Sequence, residues 1–223
     1  MKGETINGLL ITFEGQDGSG KSTLLQLTAE LLRQKGVLVV VIPEFSNNVV
    51  GNFLRASLEK NKFLRLDFPG PTAFTETMYV LSDLCSQDES EIKPAIHKGF
   101  LVLKERHVDS IFACQIPKII DDYPASDVEQ LFTWLAHASS MLTHPNMTFF
   151  LDVGKELMVK RINARGEYVS KDDLIVFGYR QVIYDRLAKS NQARWINFPN
   201  DGNPNDVAGD IANRILTNLG TER

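Results

Sequence analysis

Short apolar runs alternate along the chain with longer segments in which apolar positions recur every three or four residues. The runs have the length of β-strands and occupy residues 9–13, 37–42, 100–103, 148–151 and 195–198. Because strand-length and helix-length segments alternate, the pattern predicts a parallel sheet whose strands are connected by helices. The runs are continuous, which is typical of strands covered by helices on both faces. The sequence therefore predicts a doubly wound α/β fold.

The first helix has the clearest amphipathic pattern. Its apolar stripe consists of Leu24, Leu27, Leu31 and Leu32. Lys35 and Gly36 supply a basic last turn and a stop signal. Asp127, with Gln130 three residues later, has the spacing of a helix N-cap. Further helices are predicted at residues 50–59, 72–98, 110–121, 127–143, 155–164, 172–189 and 205–219.

Length and composition favour one domain covering residues 1–223. Hydrophobic residues make up 43% and charged residues 23% of the chain, which excludes a mostly disordered or disulfide-scaffolded protein. We find no internal repeat, low-complexity stretch or Ser/Gly linker. Residues 60–72, which contain two prolines and a glycine, fit no regular element. We expect this segment to border a substrate site.

Charge and cysteine usage narrow the class of protein. The 24 basic against 28 acidic residues argue against a surface that binds nucleic acid polymers or anionic membranes. The longest apolar run, residues 37–42, is far shorter than the roughly 20 residues of a membrane helix. Cys85 and Cys114 lack zinc or redox-pair spacing, so both are predicted to be buried, reduced thiols. We expect a cytoplasmic protein whose partner is a small molecule.

A phosphate-binding motif is the strongest chemical signal. Residues 15–22 read GQDGSGKS, which fits G-x-x-x-x-G-K-[ST], and lie between a predicted strand and a predicted helix. A glycine-permissive loop at a helix N-terminus can point several backbone N–H groups at phosphate oxygens. Lys21 is predicted to reach the β- and γ-phosphates of a nucleotide, and the Ser22 hydroxyl to bind its Mg²⁺. The motif therefore predicts a bound nucleoside triphosphate and Mg²⁺.

Three classes of protein share this loop. A GTPase requires Asn-Lys-x-Asp, and the sequence at residues 61–64 ends in Leu64 instead of aspartate. An ATPase requires an apolar strand that ends in a carboxylate, and Asp152 after Phe149, Phe150 and Leu151 keeps that class open. The third class is the small-molecule kinases.

Several segments, in order, resemble thymidylate kinases. Residues 13–23 (FEGQDGSGKST) resemble the family loop F-E-G-x-D-G-x-G-K-S/T-T, and residues 105–115 (ERHVDSIFACQ) are similar to D-R-Y-x-x-S-x-x-A-Y-Q. Residues 150–153 (FLDV) resemble the L-D-V strand of the family, and residues 161–166 (RINARG) resemble R-I-x-A-R-G at the start of its lid. Residues 201–204 (DGNP) are similar to the turn near the adenine.

The resemblance implies a five-stranded P-loop kinase fold with a lid around residues 161–173. It implies ATP-dependent transfer to a nucleoside monophosphate, with dTMP as the first candidate, and a homodimer. The implied catalytic residues are Lys21, Arg106, Arg161 and Arg165. The implied ATP-binding residues are Gly15, Gln16, Asp17, Gly18, Ser19, Gly20, Lys21, Ser22 and Thr23. The implied acceptor-binding residues are Asp17, Glu44, Arg55, Tyr79, Arg106, Ser110 and Gln115. The implied metal-binding residues are Ser22 and Glu105.

The base-reading segment departs from the family pattern. The family presents F-A-A-D-R, with an aromatic ring stacked on thymine and an arginine at its edge, whereas residues 80–84 read VLSDL. Leu84 therefore stands where the base-reading arginine is expected. Tyr79 could supply an aromatic face, and Gln87 or Gln115 a hydrogen bond.

Two alternatives remain open on the sequence. Glu105 and Arg106 also resemble the E-R-S of deoxynucleoside kinases, in which a glutamate after the second strand acts as base on a 5′-hydroxyl. Glu44 could fill that role. The other alternative is a protein that binds ATP without transferring phosphate.

Overall fold

A computed structural model describes residues 8–221 and contains one five-stranded sheet. The strands are β1 (Leu10–Glu14), β2 (Val39–Ile42), β3 (Leu101–Glu105), β4 (Met147–Asp152) and β5 (Trp195–Pro199). Their order is β2-β3-β1-β4-β5, and all neighbouring strands are parallel. The doubly wound parallel fold predicted from the apolar runs is confirmed. The single domain predicted over residues 1–223 extends beyond the described residues at both ends and stays a prediction.

Helices connect the strands and cover both faces of the sheet. They are α1 (Lys21–Gln34), α2 (Val49–Lys60), α3 (Ala73–Gln87), α4 (Lys93–His97), α5 (Val108–Asp122), α6 (Val128–Ala138), α7 (Lys155–Asn163), α8 (Lys171–Ser190) and α9 (Pro204–Thr221). No helix within residues 8–221 has the length and apolarity needed to cross a membrane.

Two predicted helices differ from the structure by more than two residues at one end. The helix predicted at residues 72–98 is interrupted by a π-helical turn at Asp88–Ile92, before Pro94 at the start of α4. The helix predicted to reach Thr143 ends at Ala138. There the Ser139 hydroxyl donates to the Leu135 carbonyl and the Ser140 hydroxyl to the His137 carbonyl, which satisfies the terminal carbonyl groups locally.

Neighbouring strand residues point to opposite faces of the sheet and build two cores. Phe149 faces α1 and α9, where its ring packs on Phe13 and Phe198. Phe150 faces α5 and α8, where it packs on Tyr184 and Trp195. The central strands β1 and β4 are buried along almost their whole length. The prediction of continuous burial is wrong for β5, whose exposure alternates because it lies at the edge of the sheet.

The carboxyl ends of β1 and β3 lie side by side and position the site. Phe13 is paired with Glu105, so the loop after β1 and the turn after β3 meet at one edge of the sheet. The helices α1 and α5 begin at this edge. Open parallel sheets bind ligands in this position. Cys85 and Cys114 are unpaired, as predicted, but only partly buried.

Candidate active site

The loop between β1 and α1 adopts the backbone shape that its glycines allow. Gly15, Gly18 and Gly20 have φ values of 139°, 79° and 89°, which side chains with a Cβ disfavour. A Cβ on Gly18 would lie 2.9 Å from the side chain of Ile162, so α7 packs directly on the loop. The Ser19 hydroxyl is buried and has no partner within residues 8–221. Buried polar groups normally have partners, so this hydroxyl suits a ligand.

Lys21 is the first residue of α1, and its side chain folds back onto this loop. Its Nζ donates to the carbonyl oxygens of Gly15 at 3.2 Å and Gln16 at 2.9 Å, and its side chain is buried. Burial and the nearby charge of Arg106 lower its pKa, while Asp17 acts in the opposite direction. The Lys21 ammonium group is therefore held beside the backbone N–H groups that would face a phosphate chain.

Ser22 and Glu105 come together at the mouth of the loop. The Ser22 hydroxyl donates to Glu105 Oε1 at 2.8 Å, so the two residues of the implied metal site are adjacent in space. A hydroxyl oxygen and a carboxylate are hard oxygen ligands of the kind that Mg²⁺ prefers, and Mg²⁺ needs only one or two protein ligands when it also binds phosphates. The two residues fit the metal.

A pocket beside the loop combines a charged end with an apolar end. Its residues are Asp17, Glu44, Phe45, Leu58, Phe63, Leu64, Val80, Asp83, Leu84, Arg106, His107, Ser110, Ile111, Cys114, Gln115 and Arg180. Arg106 donates to Asp17 Oδ1 at 2.7 Å, and Arg180 donates to Asp17 Oδ2 at 3.1 Å. Partial desolvation would raise the pKa of Asp17, but the two guanidinium groups outweigh it and lower the pKa.

Arg106 occupies a constrained position after β3. Its φ is 52°, in the left-handed region, and its side chain is buried. Besides Asp17, its guanidinium contacts Ser110 Oγ at 3.1 Å, Tyr184 at 3.2 Å and the Glu44 carboxylate at 3.5 Å. Desolvation and the charge of Glu105 raise the pKa of Glu44, and Arg106 opposes that shift.

Glu14 is linked to Arg106 through Ser110 and Tyr184, which contact both residues. This buried carboxyl group accepts hydrogen bonds from the His107 backbone N–H at 2.8 Å, from the Ser110 hydroxyl and from the Tyr184 hydroxyl at 3.4 Å. Burial, together with the charge of Asp109, raises the pKa of Glu14 to about 7. Sequence reasoning missed this role, although Glu14 stands within the motif segment.

We expect the variant Glu14→Gln to lose a pH dependence of stability. The folded pKa of Glu14 lies above its ordinary value of 4.5, so its favourable contribution is complete below pH 4.5 and is lost as the pH rises to about 7. Glutamine mimics the protonated form. The variant should match the wild type near pH 4.5 and exceed it by on the order of 1–3 kcal/mol above pH 7 in urea unfolding. Parallel pH profiles for the two proteins would contradict this expectation.

Lys104 is a second buried group that sequence reasoning missed. It is fully buried in β3 and donates to the carbonyl oxygens of Pro43 at 2.9 Å and Glu44 at 3.2 Å, and to Gln87 Oε1 at 2.8 Å. Burial lowers its pKa to about 8. Lys104 thus fixes the turn that carries Glu44. The available signal was a lysine directly after the apolar run at residues 100–103.

The apolar end of the pocket shows which base-reading candidates lie in it. Gln115 lines the pocket and is buried, whereas Gln87 is bonded to Lys104. Tyr79 packs its ring on Phe53, with 5.1 Å between ring centroids, and is not among the pocket-lining residues. Val80 and Leu84 line the apolar end of the pocket instead.

Arg55 is turned toward the protein backbone. Its guanidinium donates to the carbonyl oxygens of Phe45 at 3.1 Å and Ser46 at 3.0 Å, and to Asn52 Oδ1 at 2.7 Å. It stabilises the segment after β2, and the structure does not bring it into the pocket with Asp17. Its predicted contact with the acceptor phosphate stays a prediction.

Arg161 and Arg165 lie on the other side of the loop. Together with Gly20, Thr23 and Asn200 they line a second pocket between the starts of α1 and α9. Arg161 donates to the Asn200 carbonyl at 3.0 Å. Asn200, which sequence reasoning missed, donates to the Ser19 carbonyl at 2.6 Å and has a buried Oδ1 without a partner within residues 8–221. This pocket suits the nucleoside end of the donor.

Comparison with known proteins agrees with this arrangement. The fold resembles the crystal structure of thymidylate kinase from Ehrlichia chaffeensis with a TM-score of 0.65 and 24% identity, covering 94% of this chain and 99% of that one. A thymidylate kinase of Exiguobacterium sp. is 36% identical over 73% of this chain and 71% of its own length. A thymidylate kinase of Mycoplasma capricolum is 31% identical over 83% of this chain and 84% of its own.

The family profile described as thymidylate kinase matches residues 13–211, which include the phosphate-binding loop, the pocket and the segment predicted as a lid. The match disfavours the ATPase interpretation of Asp152 and the nucleoside kinase interpretation of Glu44. The chain therefore belongs to the thymidylate kinase family, nucleoside monophosphate kinases whose phosphate donor is ATP.

Proposed function

We propose that the protein transfers the γ-phosphoryl group of Mg²⁺-bound ATP to dTMP and releases dTDP and ADP. The observation that carries this proposal is that Asp17 belongs both to the phosphate-binding loop and to the acceptor pocket. In the pocket, Arg106 donates a hydrogen bond to the Asp17 carboxylate. An acceptor phosphate held at Arg106 would therefore lie next to the phosphates of the donor.

The chemistry follows from positioning and electrostatics. An oxygen of the acceptor phosphate forms a bond to the γ-phosphorus, and the bond from that phosphorus to the β,γ-bridging oxygen breaks, leaving on ADP. Lys21 and the loop N–H groups stabilise the charge on the oxygens in transfer, and Arg106 orients the acceptor. Ser22 and Glu105 would hold Mg²⁺, which would supply positive charge to neutralise the donor phosphates.

The apolar end of the pocket accommodates the base. Val80, Leu84 and Ile111 offer aliphatic contact in place of a stacked aromatic ring and an arginine. Gln115 is buried among them, its Oε1 lies 3.4 Å from the Thr77 hydroxyl, and no residue within 8–221 bonds its Nε2. An amide can donate and accept at the edge of a pyrimidine base, so Gln115 takes over base recognition.

The variant Gln115→Leu is expected to raise the KM for dTMP about 10-fold, because one hydrogen bond to the base is lost while volume is kept. The KM for ATP should stay unchanged. Gln130→Leu on the exposed start of α6 is the matched control. Steady-state assays with each substrate varied decide the matter, and an unaltered dTMP KM in Gln115→Leu would remove Gln115 from the base site.

The reaction itself is tested by following ADP formation with a panel of nucleosides and nucleoside monophosphates, with product masses confirmed. We expect transfer to dTMP that stops when EDTA removes Mg²⁺ and returns when Mg²⁺ is restored. Transfer to nucleosides alone would overturn the proposal and assign Glu44 as a base. A folded protein that binds ATP but transfers to none of the panel would also overturn it.

The proposal includes a homodimer. Phe53 on α2 and Phe74 and Met78 on α3 expose large apolar surface on the acceptor side. Apolar surface of this kind suits a subunit interface. Sedimentation equilibrium should give twice the mass of the chain, and the mass of one chain at micromolar concentration would contradict the dimer.

A further inference from the structure

Arg180 is a buried cation in the acceptor pocket that no motif of the sequence singles out. It lies in the middle of α8 and is 4% exposed. Its guanidinium holds Asp17 Oδ2 at 3.1 Å, while Arg106 holds the other carboxylate oxygen at 2.7 Å. Two guanidinium groups therefore meet one small anionic group at the wall that separates donor from acceptor.

The surroundings fix the direction of Arg180. Its guanidinium carbon lies 4.7 Å from the centre of the Phe63 ring, and that ring meets Phe177 edge-on at 5.6 Å. Phe63 has a φ of 61°, an unfavourable value for a non-glycine residue. The backbone is thus held in a costly shape that brings an aromatic face to Arg180, which favours a planar cation at a set orientation.

One donor of Arg180 has no protein acceptor. Its Nε is buried and lacks a hydrogen-bond partner within residues 8–221. An unpaired buried donor of a charged group is costly, and such groups in native proteins commonly serve a ligand. Arg180 lines the same pocket as Arg106, so the ligand would be the acceptor.

Charge balance at this end of the pocket also requires Arg180. Arg106 alone faces two carboxylates, Asp17 and Glu44, which leaves no positive charge in excess for an incoming anion. Arg55 is engaged with backbone carbonyl groups instead. Arg180 brings the guanidinium groups to two against these two carboxylates, and Lys21, whose charge also acts on Asp17, leaves one positive charge in excess among these five groups.

We propose that Arg180 and Arg106 form a two-arginine clamp for the phosphate of the acceptor. Asp17 keeps the two cations apart by the width of one carboxylate, which is close to the separation of two oxygens of one phosphate group, so both guanidinium groups can bind the same phosphate. This inference rests on the proposed function, and it names the residue that makes the site select an acceptor already bearing a phosphate.

The test separates the phosphate from the rest of the acceptor. Dissociation constants for dTMP and for thymidine are measured by calorimetry on the wild type and on Arg180→Gln, Arg180→Lys and Arg186→Gln. Arg186 is the matched control, because it lies on the same helix but pairs with Glu129 on the surface. Circular dichroism and thermal midpoints establish that each variant is folded.

We expect Arg180→Gln to reduce the preference for dTMP over thymidine about 10- to 100-fold, with thymidine binding unchanged. Arg180→Lys should show a smaller loss, because it keeps the charge without the planar fork. Arg186→Gln should behave as the wild type. If Arg180→Gln does not fold, the preference of Arg180→Lys for dTMP over thymidine decides instead.

Two results would overturn the clamp. A wild-type preference for dTMP that persists in both Arg180 variants would show a structural role. Equal weakening of dTMP and thymidine would assign Arg180 to the sugar. Failure of the proposed function is seen separately, as a wild-type enzyme that forms no dTDP.

Discussion

Lys21→Ala is expected to lower the rate of phosphoryl transfer about 10³-fold while the chain stays folded. Lys21 supplies the mobile positive charge of the loop, and its ammonium group is held by the Gly15 and Gln16 carbonyls until a phosphate replaces them. Removing one preorganised donor at a site of developing negative charge lowers kcat by about 10²- to 10³-fold. The loss should be at the upper end here, because Lys21 carries a full charge and is buried.

The structure also explains why this variant should fold. The two carbonyl groups that Lys21 releases belong to the buried residues Gly15 and Gln16, and the loss of their shared donor costs about 1–3 kcal/mol, less than the roughly 5–15 kcal/mol that stabilises a folded domain. ADP formation with dTMP gives the rate, and circular dichroism checks the fold. Lys35→Ala, at the other end of α1, is the control for losing a lysine from this helix. A folded Lys21→Ala protein with the wild-type rate would refute the assigned role.

The framework of the site could be predicted because it depends on local signals. Continuous apolar runs located all five strands to within two residues. The glycine pattern placed residues 15–22 between a strand and a helix, and in the structure they form the loop after β1 and the first two residues of α1, Lys21 and Ser22. These signals act within a few neighbouring residues. The strand order β2-β3-β1-β4-β5 was not part of the prediction from residues, because it depends on contacts between distant segments.

The residues that sequence reasoning missed depend on distant partners. Arg180 meets Asp17 across 163 positions, and nothing in the pattern of α8 distinguishes it from an exposed arginine such as Arg186. Lys104 is buried because three acceptors from two other segments surround it. The left-handed backbone of Phe63 opposes its own propensity and is held by tertiary packing.

Arg55 shows the opposite difficulty. Its spacing after the second strand matches a family pattern, yet its side chain is long enough to reach the carbonyl groups of Phe45 and Ser46 in its own segment. A motif fixes the position of the Cα atom but not the direction of a flexible side chain. Contacts to the acceptor are therefore better inferred from pocket-lining groups with unpaired donors, of which Arg180 is the example.

Arg106→Lys is expected to lower kcat/KM for dTMP by about 10³-fold with little change in ATP binding. The planar guanidinium of Arg106 reaches Asp17, Glu44, Ser110 and Tyr184 at the same time. A lysine ammonium group is a point charge that cannot hold these directions together, so the carboxylates and the acceptor phosphate lose their common orientation. Misplaced acceptors reduce kcat as well as affinity, since transfer requires in-line approach.

The control must reproduce the chemical change without touching the pocket. Arg194→Lys does so, because Arg194 makes a two-pronged pair with buried Asp109, at 2.7 Å for both bonds, and does not line the pocket. Both variants replace a largely buried guanidinium group that pairs with a carboxylate, so both should lose some stability. Only Arg106→Lys should lose acceptor turnover. The contrary result is a folded Arg106→Lys enzyme whose kcat/KM for dTMP lies within threefold of that of Arg194→Lys. The shared loss of stability would then account for the whole effect. Arg106 would be excluded as the residue that orients the acceptor.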